Sequence, residues 1–226
     1  MRLEASDALL ARLKTLLTPD ENARADRYIF DAPRLAYVIS RAALRILLAR
    51  YTGINPQELR FRYGPKDKPS LDAPAPIQFN VSHSGGLALL AFTHICEIGV
   101  DVEQIRPIKD MLDIARRFFC AEEVADLLGL PPDRREHGFY LCWTRKEAYI
   151  KATGEGLSVR LDAFRVALRP GEPATFIHLD GDRRAAQQWS LHDLDAGPGY
   201  CGALAYYGAR LPVDVKPTVD PTTLLA

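Results

Sequence analysis

Two short segments hold the side chains with the clearest chemical use. Trp143-Thr144-Arg145-Lys146-Glu147-Ala148-Tyr149-Ile150-Lys151 spaces Trp143, Glu147 and Lys151 four residues apart. On a helix these positions share one stripe, so a ring, a carboxylate and an ammonium face the same way. Upstream, Gly99-Val100-Asp101-Val102-Glu103 sets two carboxylates two residues apart. In an extended chain they leave the same face. A carboxylate pair, a third carboxylate and a lysine form a donor set for Mg²⁺ beside phosphate, because Mg²⁺ takes one or two carboxylates and fills its other positions with water and phosphate oxygens.

Each segment also has a plain reading. The first is an amphipathic helix with a Glu147–Lys151 pair, worth a few tenths of a kcal/mol. The second is a strand with Val100 and Val102 in the core and both acids on the wet face. Trp143 on the same stripe, and the turn Thr153-Gly154-Glu155-Gly156 directly after it, weigh toward function, since a glycine turn lets a phosphate approach closely. A third segment, Asn80-Val81-Ser82-His83-Ser84-Gly85-Gly86, ends a strand. It reads either as a polar turn or as phosphate-facing donors, Ser82 and His83, with backbone N–H groups exposed at the glycines. Ser82 and His83 are strand neighbours and point to opposite faces, which excludes a Ser–His nucleophile pair. Gly85-Gly86 is too short for a dinucleotide or P-loop fingerprint.

The elements that must position these residues follow from periodicity and caps. Apolar spacing predicts a helix over 6–18, a helix starting at Thr18-Pro19, and an amphipathic helix over 36–51 ended by Thr52-Gly53. Strands are expected over 59–63, 77–81, 87–92 and 98–103, with loops over 64–69 and 72–76. Helices return over 110–119, 121–129 and 138–152, then strands over 164–168, 174–179, 189–194 and 200–207. Residues 212–226 hold three prolines and read as an extended tail. The fold class is α+β. A faint echo suggests duplication: Thr52-Gly53 and Thr153-Gly154 end two helices, and 85–92 resembles 199–206. Two pseudo-repeated α/β halves, 1–97 and 98–211, would leave a ligand cleft between them.

Composition bounds the function. The chain of 226 residues has 29 Lys and Arg against 29 Asp and Glu, so no whole-molecule attraction to nucleic acid or an anionic membrane is expected. No apolar run approaches a bilayer span, and the first residues lack an apolar signal core, so a cytoplasmic protein is expected. Cys96, Cys120, Cys142 and Cys201 are irregularly spaced, which fits reduced thiols rather than a zinc or disulfide framework. Between Arg24 and Lys68 ten basic residues face four acidic ones, the makings of a local anion site.

Taken in order, Asn80-Val81-Ser82-His83-Ser84-Gly85, Gly99-Val100-Asp101-Val102-Glu103, Arg117-Phe118-Phe119 and Trp143-x-x-Lys146-Glu147-x-x-x-Lys151 resemble the signature of the 4′-phosphopantetheinyl transferases of the Sfp type. The resemblance runs from about Pro19 to Tyr207. It implies a monomer of two pseudo-repeated halves. It also implies transfer of the phosphopantetheine arm of coenzyme A to a serine of an apo acyl or peptidyl carrier protein, with Mg²⁺, releasing adenosine 3′,5′-bisphosphate.

By similarity, Asp101 and Glu103 hold Mg²⁺ against the pyrophosphate, and Glu147 is a third ligand or the base for the serine proton. Lys151 resembles the lysine that stabilises the pyrophosphate and the leaving group. Lys146 and Trp143 match the motif, with Lys146 as a cofactor contact. Ser82 and His83 resemble coenzyme A contacts, and Arg24 stands where the family carries a basic residue for the adenosine 3′-phosphate. Lys68-Pro69 resembles a Gly-Lys-Pro motif in which Asp67 replaces the glycine, leaving Lys68, Arg62 or Lys66 for that task. The stretch 110–135 is the expected carrier surface. Two other readings stand beside this one: an inactive module that binds coenzyme A or a carrier protein, and a different metal-dependent phosphoryl enzyme.

Overall fold

The computed structural model describes residues 1–72 and 77–225, so the loop expected over 72–76 lies, past Asp72, outside the described residues. The first half of the chain builds α1 (Asp7–Lys14), α2 (Pro19–Ala25), α3 (Asp31–Thr52), β1 (Phe61–Tyr63), β2 (Pro69–Leu71), β3 (Gln78–Ser84) and β4 (Leu87–Thr93). The second half builds β5 (Ile98–Gln104), α4 (Met111–Phe118), α5 (Ala121–Gly129), α6 (Pro132–Thr153), β6 (Phe164–Val166), β7 (Phe176–Leu179), α7 (Arg183–Ala186), β8 (Trp189–Leu194) and β9 (Tyr200–Tyr207).

Helix ends explain most boundaries. Ser6 caps α1 by accepting the Leu9 N–H, and Thr18 opens α2 in a capping box with Glu21. α3 starts at Asp31 and α6 at Pro132, both ahead of their apolar stripes. Polar first turns carry no periodicity, and a proline at the first helical position lacks only an N–H that would be unpaired anyway. β3 runs on through Ser82, His83 and Ser84, and the turn is confined to Gly85-Gly86.

The echo in the sequence is a structural duplication. Each half has a helix of 22 residues ended by a left-handed glycine, Gly53 at φ 73° and Gly154 at φ 72°. Each helix leads to a short hairpin, β1–β2 or β6–β7, and then to an antiparallel pair, β3–β4 or β8–β9. An outer strand flanks each last strand: β5 pairs with β9, and residues 1–3 lie on β4 through an Arg2–Leu87 bridge.

The same buried ion pair recurs in both halves. Arg45 and Lys146 each sit eight residues before their capping glycine. Arg45 Nε is 2.7 Å from Glu21 Oε2, and Lys146 Nζ is 2.8 Å from Glu123 Oε2. Both glutamates come from capping boxes, on α2 and α5. Both cations also donate to loop carbonyls after their helix, Arg45 to Pro56 and Leu59, Lys146 to Leu161 and Phe164.

The tail differs from expectation. Its last turn, Pro221–Leu225, docks on the first half: Leu224 joins the core of Leu3, Leu9 and Leu13, and Arg2 N–H donates to Val219 O.

The halves meet where β5 passes between β3 and α6. Gly99 makes this approach possible, because a Cβ there would stand 2.1 Å from Ala148 O and 2.3 Å from Ala152 N. Both are backbone atoms of α6 that cannot turn aside. Gly99→Ala is therefore expected to destabilise the chain by about 3 kcal/mol or more, at the top of the range for overpacking. Urea denaturation measures it, and a loss below about 1 kcal/mol would show that β5 can shift away from α6.

Candidate active site at the seam between the halves

Alternate residues of β3 (Asn80, Ser82 and Ser84) are buried and turn toward β5. Their side chains, rather than backbone carbonyls, accept the N–H groups of β5. Asn80 Oδ1 takes Val100 N–H at 2.9 Å, Ser82 Oγ takes Val102 at 3.3 Å, and Ser84 Oγ takes Gln104 at 3.2 Å. The constant offset means that β3 and β5 run parallel, one side-chain length apart. The two serines also hold the acids of β5: Ser82 donates to Asp101 Oδ1 at 2.8 Å and Ser84 to Glu103 Oε2 at 2.5 Å.

α6 closes the other side. Lys151 Nζ donates to Asp101 Oδ1 at 2.6 Å and to Ser82 Oγ at 2.9 Å. Glu147, one turn earlier on the same stripe, feels Asp101 and Glu103 as like charges and Lys151 as an opposite one. A cleft of about 190 Å³ opens here. Lys66, Asp67, Lys68, Pro69, Asn80 and Val81 line it from the first half, and Glu147, Ile150, Lys151, Gly154 and Gly156 from the second.

Of the other expected site residues, Lys68 reaches this cleft. Its ammonium is held by Glu97 at 2.5 Å and by Ala152 O, a C-terminal carbonyl of α6, at 2.9 Å. His83 projects from the opposite face of β3 and is exposed. Arg24 is exposed on α2, 5.5 Å from the Tyr37 ring centroid, and does not line the cleft. Trp143 packs between Phe118 and Phe139 in the core of the second half. Lys146, expected at the cofactor, points the opposite way: it is 1% exposed and bound to Glu123. Residues four apart share a stripe, whereas Lys146 is a neighbour of Glu147 and so faces elsewhere. Asn80 and Ser84 carry weight that sequence reasoning gave only to Ser82 and His83. The alternation of polar residues at 80, 82 and 84 is the signal that marks them.

Residues 97–205 match the 4′-phosphopantetheinyl transferase superfamily, and residues 4–94 match the N-terminal part of a 4′-phosphopantetheinyl transferase. The transferase HetI of a Nostoc species is 36% identical over 91% of this chain and 85% of its own. The chain belongs to the 4′-phosphopantetheinyl transferase superfamily. The transferase Sfp of Bacillus subtilis is 32% identical over 90% of this chain and 88% of its own. A holo-[acyl-carrier-protein] synthase of Thermotoga maritima superposes on 51% of this chain and 64% of its own with a TM-score of 0.41 at 19% identity, too slight a likeness to weigh.

In this family member the acids are strained electrostatically. Burial raises the pKa of Asp101 against the opposing pull of Lys151 and Ser82. Burial also raises Glu103 and Glu147, and the charge of Asp101 adds to both. Asp101 Oδ2 is buried with no hydrogen-bond partner among the described residues. No three His, Cys, Asp or Glu side chains among the described residues form a ready metal cage. An orphaned carboxylate oxygen and three mutually repelling acids nevertheless fit a hard divalent cation, whose charge would relieve both costs.

Two measurements test this description. Lys146→Met leaves the buried Glu123 with its two backbone N–H donors but without a counter-ion, so it is expected to cost about 3 kcal/mol of stability, read by urea denaturation. A fully stable Lys146→Met protein with weakened coenzyme A binding would return Lys146 to the cleft. The second concerns Glu147. A carboxylate whose folded pKa is raised costs stability above that pKa and nothing below its ordinary one, so stability falls as pH rises between the two. Without metal, Glu147→Gln should raise Tm at neutral pH, and the gain should vanish on acidification. A lower Tm at neutral pH would contradict the repulsion.

Proposed function

We propose that this protein transfers the 4′-phosphopantetheine arm of coenzyme A to a serine hydroxyl of an apo acyl or peptidyl carrier protein. The observation that carries the reading is the meeting of Asp101, Glu103, Glu147 and Lys151 at one seam, in a chain of this family. The reaction forms a bond from the serine oxygen to the β-phosphorus of coenzyme A. It breaks the bond from that phosphorus to the bridging oxygen, and adenosine 3′,5′-bisphosphate leaves.

Asp101, Glu103 and Glu147 would hold Mg²⁺, which when bound supplies positive charge to the pyrophosphate oxygens. Lys151, half-buried at the cleft, sets its ammonium where the leaving phosphate gathers charge. Among the described residues no serine holds the Glu147 carboxylate, unlike those of Asp101 and Glu103. That supports its use as the base for the serine proton, the alternative to its being the third cation ligand. Lys66 and Lys68 bring cations to the other wall of the cleft, where Asp67 takes a left-handed conformation at φ 60° and leaves Lys68 directed at α6. Arg24 and His83 lie farther out on the first half, where the 3′-phosphate is assigned by similarity.

The division of labour follows the halves. Residues 1–97 would seat the nucleotide end, and 98–211 would supply the cation and the chemistry. The carrier protein would dock over 110–135, where Met111 and Leu112 are half-buried beside exposed Arg116 and Arg117. We read the enzyme as a cytoplasmic monomer. In support, its cysteines are unpaired, and no helix of the described residues is long and apolar enough to cross a membrane.

The test is the mass gain of apo carrier proteins incubated with coenzyme A, Mg²⁺ and this protein. Wild type should modify at least one of a panel of fatty acid, polyketide and peptide carriers. Glu147→Gln should lower the rate by about a hundredfold or more. Coenzyme A binding without product from any carrier would replace this reading with a binding module. Bisphosphate release without a carrier would indicate a hydrolase.

A further inference from the structure

Ser82 and Ser84 make the same two bonds, two residues apart. Each hydroxyl accepts a backbone N–H of β5 and donates to the carboxylate of the preceding residue on that strand. A hydroxyl has one proton and two lone pairs. With a lone pair taken by a fixed N–H, the proton has one acceptor left, and its direction is set by the backbone. The third rung, Asn80, accepts Val100 N–H, but the residue before Val100 is Gly99, so no acid stands there to be held. The serines therefore occur where β5 carries acids, and an amide where it does not.

The two serines are not equivalent. Ser82 also accepts from Lys151, so replacing it disturbs the lysine too. Ser84 touches neither Lys151 nor the cleft lining. We propose that Ser84 is a positioning residue for cation binding: held by Gln104 N–H, it fixes Glu103 Oε2 from the opposite half of the molecule, so that Glu103 meets the cation with its rotamer already chosen. The inference rests on the reading that these carboxylates hold a divalent cation. Groups that orient a metal's carboxylates in this way typically change affinity by about 10–100-fold when removed.

The experiment uses Mn²⁺ as the probe. Its binding to the full chain is read from the electron paramagnetic resonance of the free ion, with and without coenzyme A. Ser84→Ala and Ser84→Cys should each weaken Mn²⁺ by about tenfold or more, with the KM for coenzyme A unchanged. Cysteine keeps the volume, so it guards against a packing fault in the alanine variant. Ser84→Thr keeps the hydroxyl and should restore binding. Wild-type Mn²⁺ binding in both the alanine and cysteine variants would overturn the proposal and leave the cation reading standing. A Thr variant as weak as Ala would also overturn it. Wild-type protein that takes up no Mn²⁺ under either condition would remove the cation reading and this inference together.

Discussion

A strand edge buried inside a protein must find partners for its N–H groups, because an unpaired buried amide costs about as much as a lost hydrogen bond. Along one edge of β5 those partners are side-chain oxygens of Asn80, Ser82 and Ser84 instead of another backbone. Such a ladder fixes register as firmly as a sheet does, since a slip by one residue would present Phe79, Val81 and His83 to the same N–H groups. It also keeps the strands one side chain apart. That spacing leaves room for carboxylates, and Asp101 and Glu103 fill it. The link between the halves and the holder of the acids are thus one set of bonds.

The cost of this design is electrostatic. Asp101 is 3% exposed, its charge raises the pKa of both Glu103 and Glu147, and Glu103 adds to the rise at Glu147. Lys151 offsets part of the charge, but the second oxygen of Asp101 stays unpaired among the described residues. A fold keeps such a cluster only when the surrounding packing over-determines it. Here the packing is the crossing of β5 over α6 at Gly99, where no other residue type fits between the two backbones.

The duplicated frame shows where the two halves differ along their long helices. Counted back from the capping glycine, the first-half positions that match Glu147 and Lys151 are Ile46 and Arg50. Ile46 is buried in the core of the first half, and Arg50 donates to Leu224 O of the docked tail. The matched ion pairs, Glu21–Arg45 and Glu123–Lys146, serve the frame in both copies. Lys146 therefore belongs to the part of the motif that shapes α6 and its following loop, and Glu147 and Lys151 to the part that faces the cleft.

Local signals in the chain determined most elements of the fold and the order in which they come. Caps, prolines and glycines act within a few residues, so Thr18-Pro19, Gly53 and Gly154 mark their helix ends without help from the rest of the molecule. The stripe of Glu147 and Lys151 was legible for the same reason, since helical spacing alone puts them on one side. Burial is not local. An alternating strand reads as one dry face and one wet face, and β5 was expected to show its acids to water. Only the folded chain, by laying α6 over the acid face and β4 over the valine face, made both faces interior. Direction is not local either: a lysine beside a cleft-lining glutamate looks like a site residue until the glutamate on α5 is found to hold it. The sequence named the acids and the lysine. The tertiary structure decided which of them share a cleft, because that depends on which surfaces of distant segments exclude water from each other.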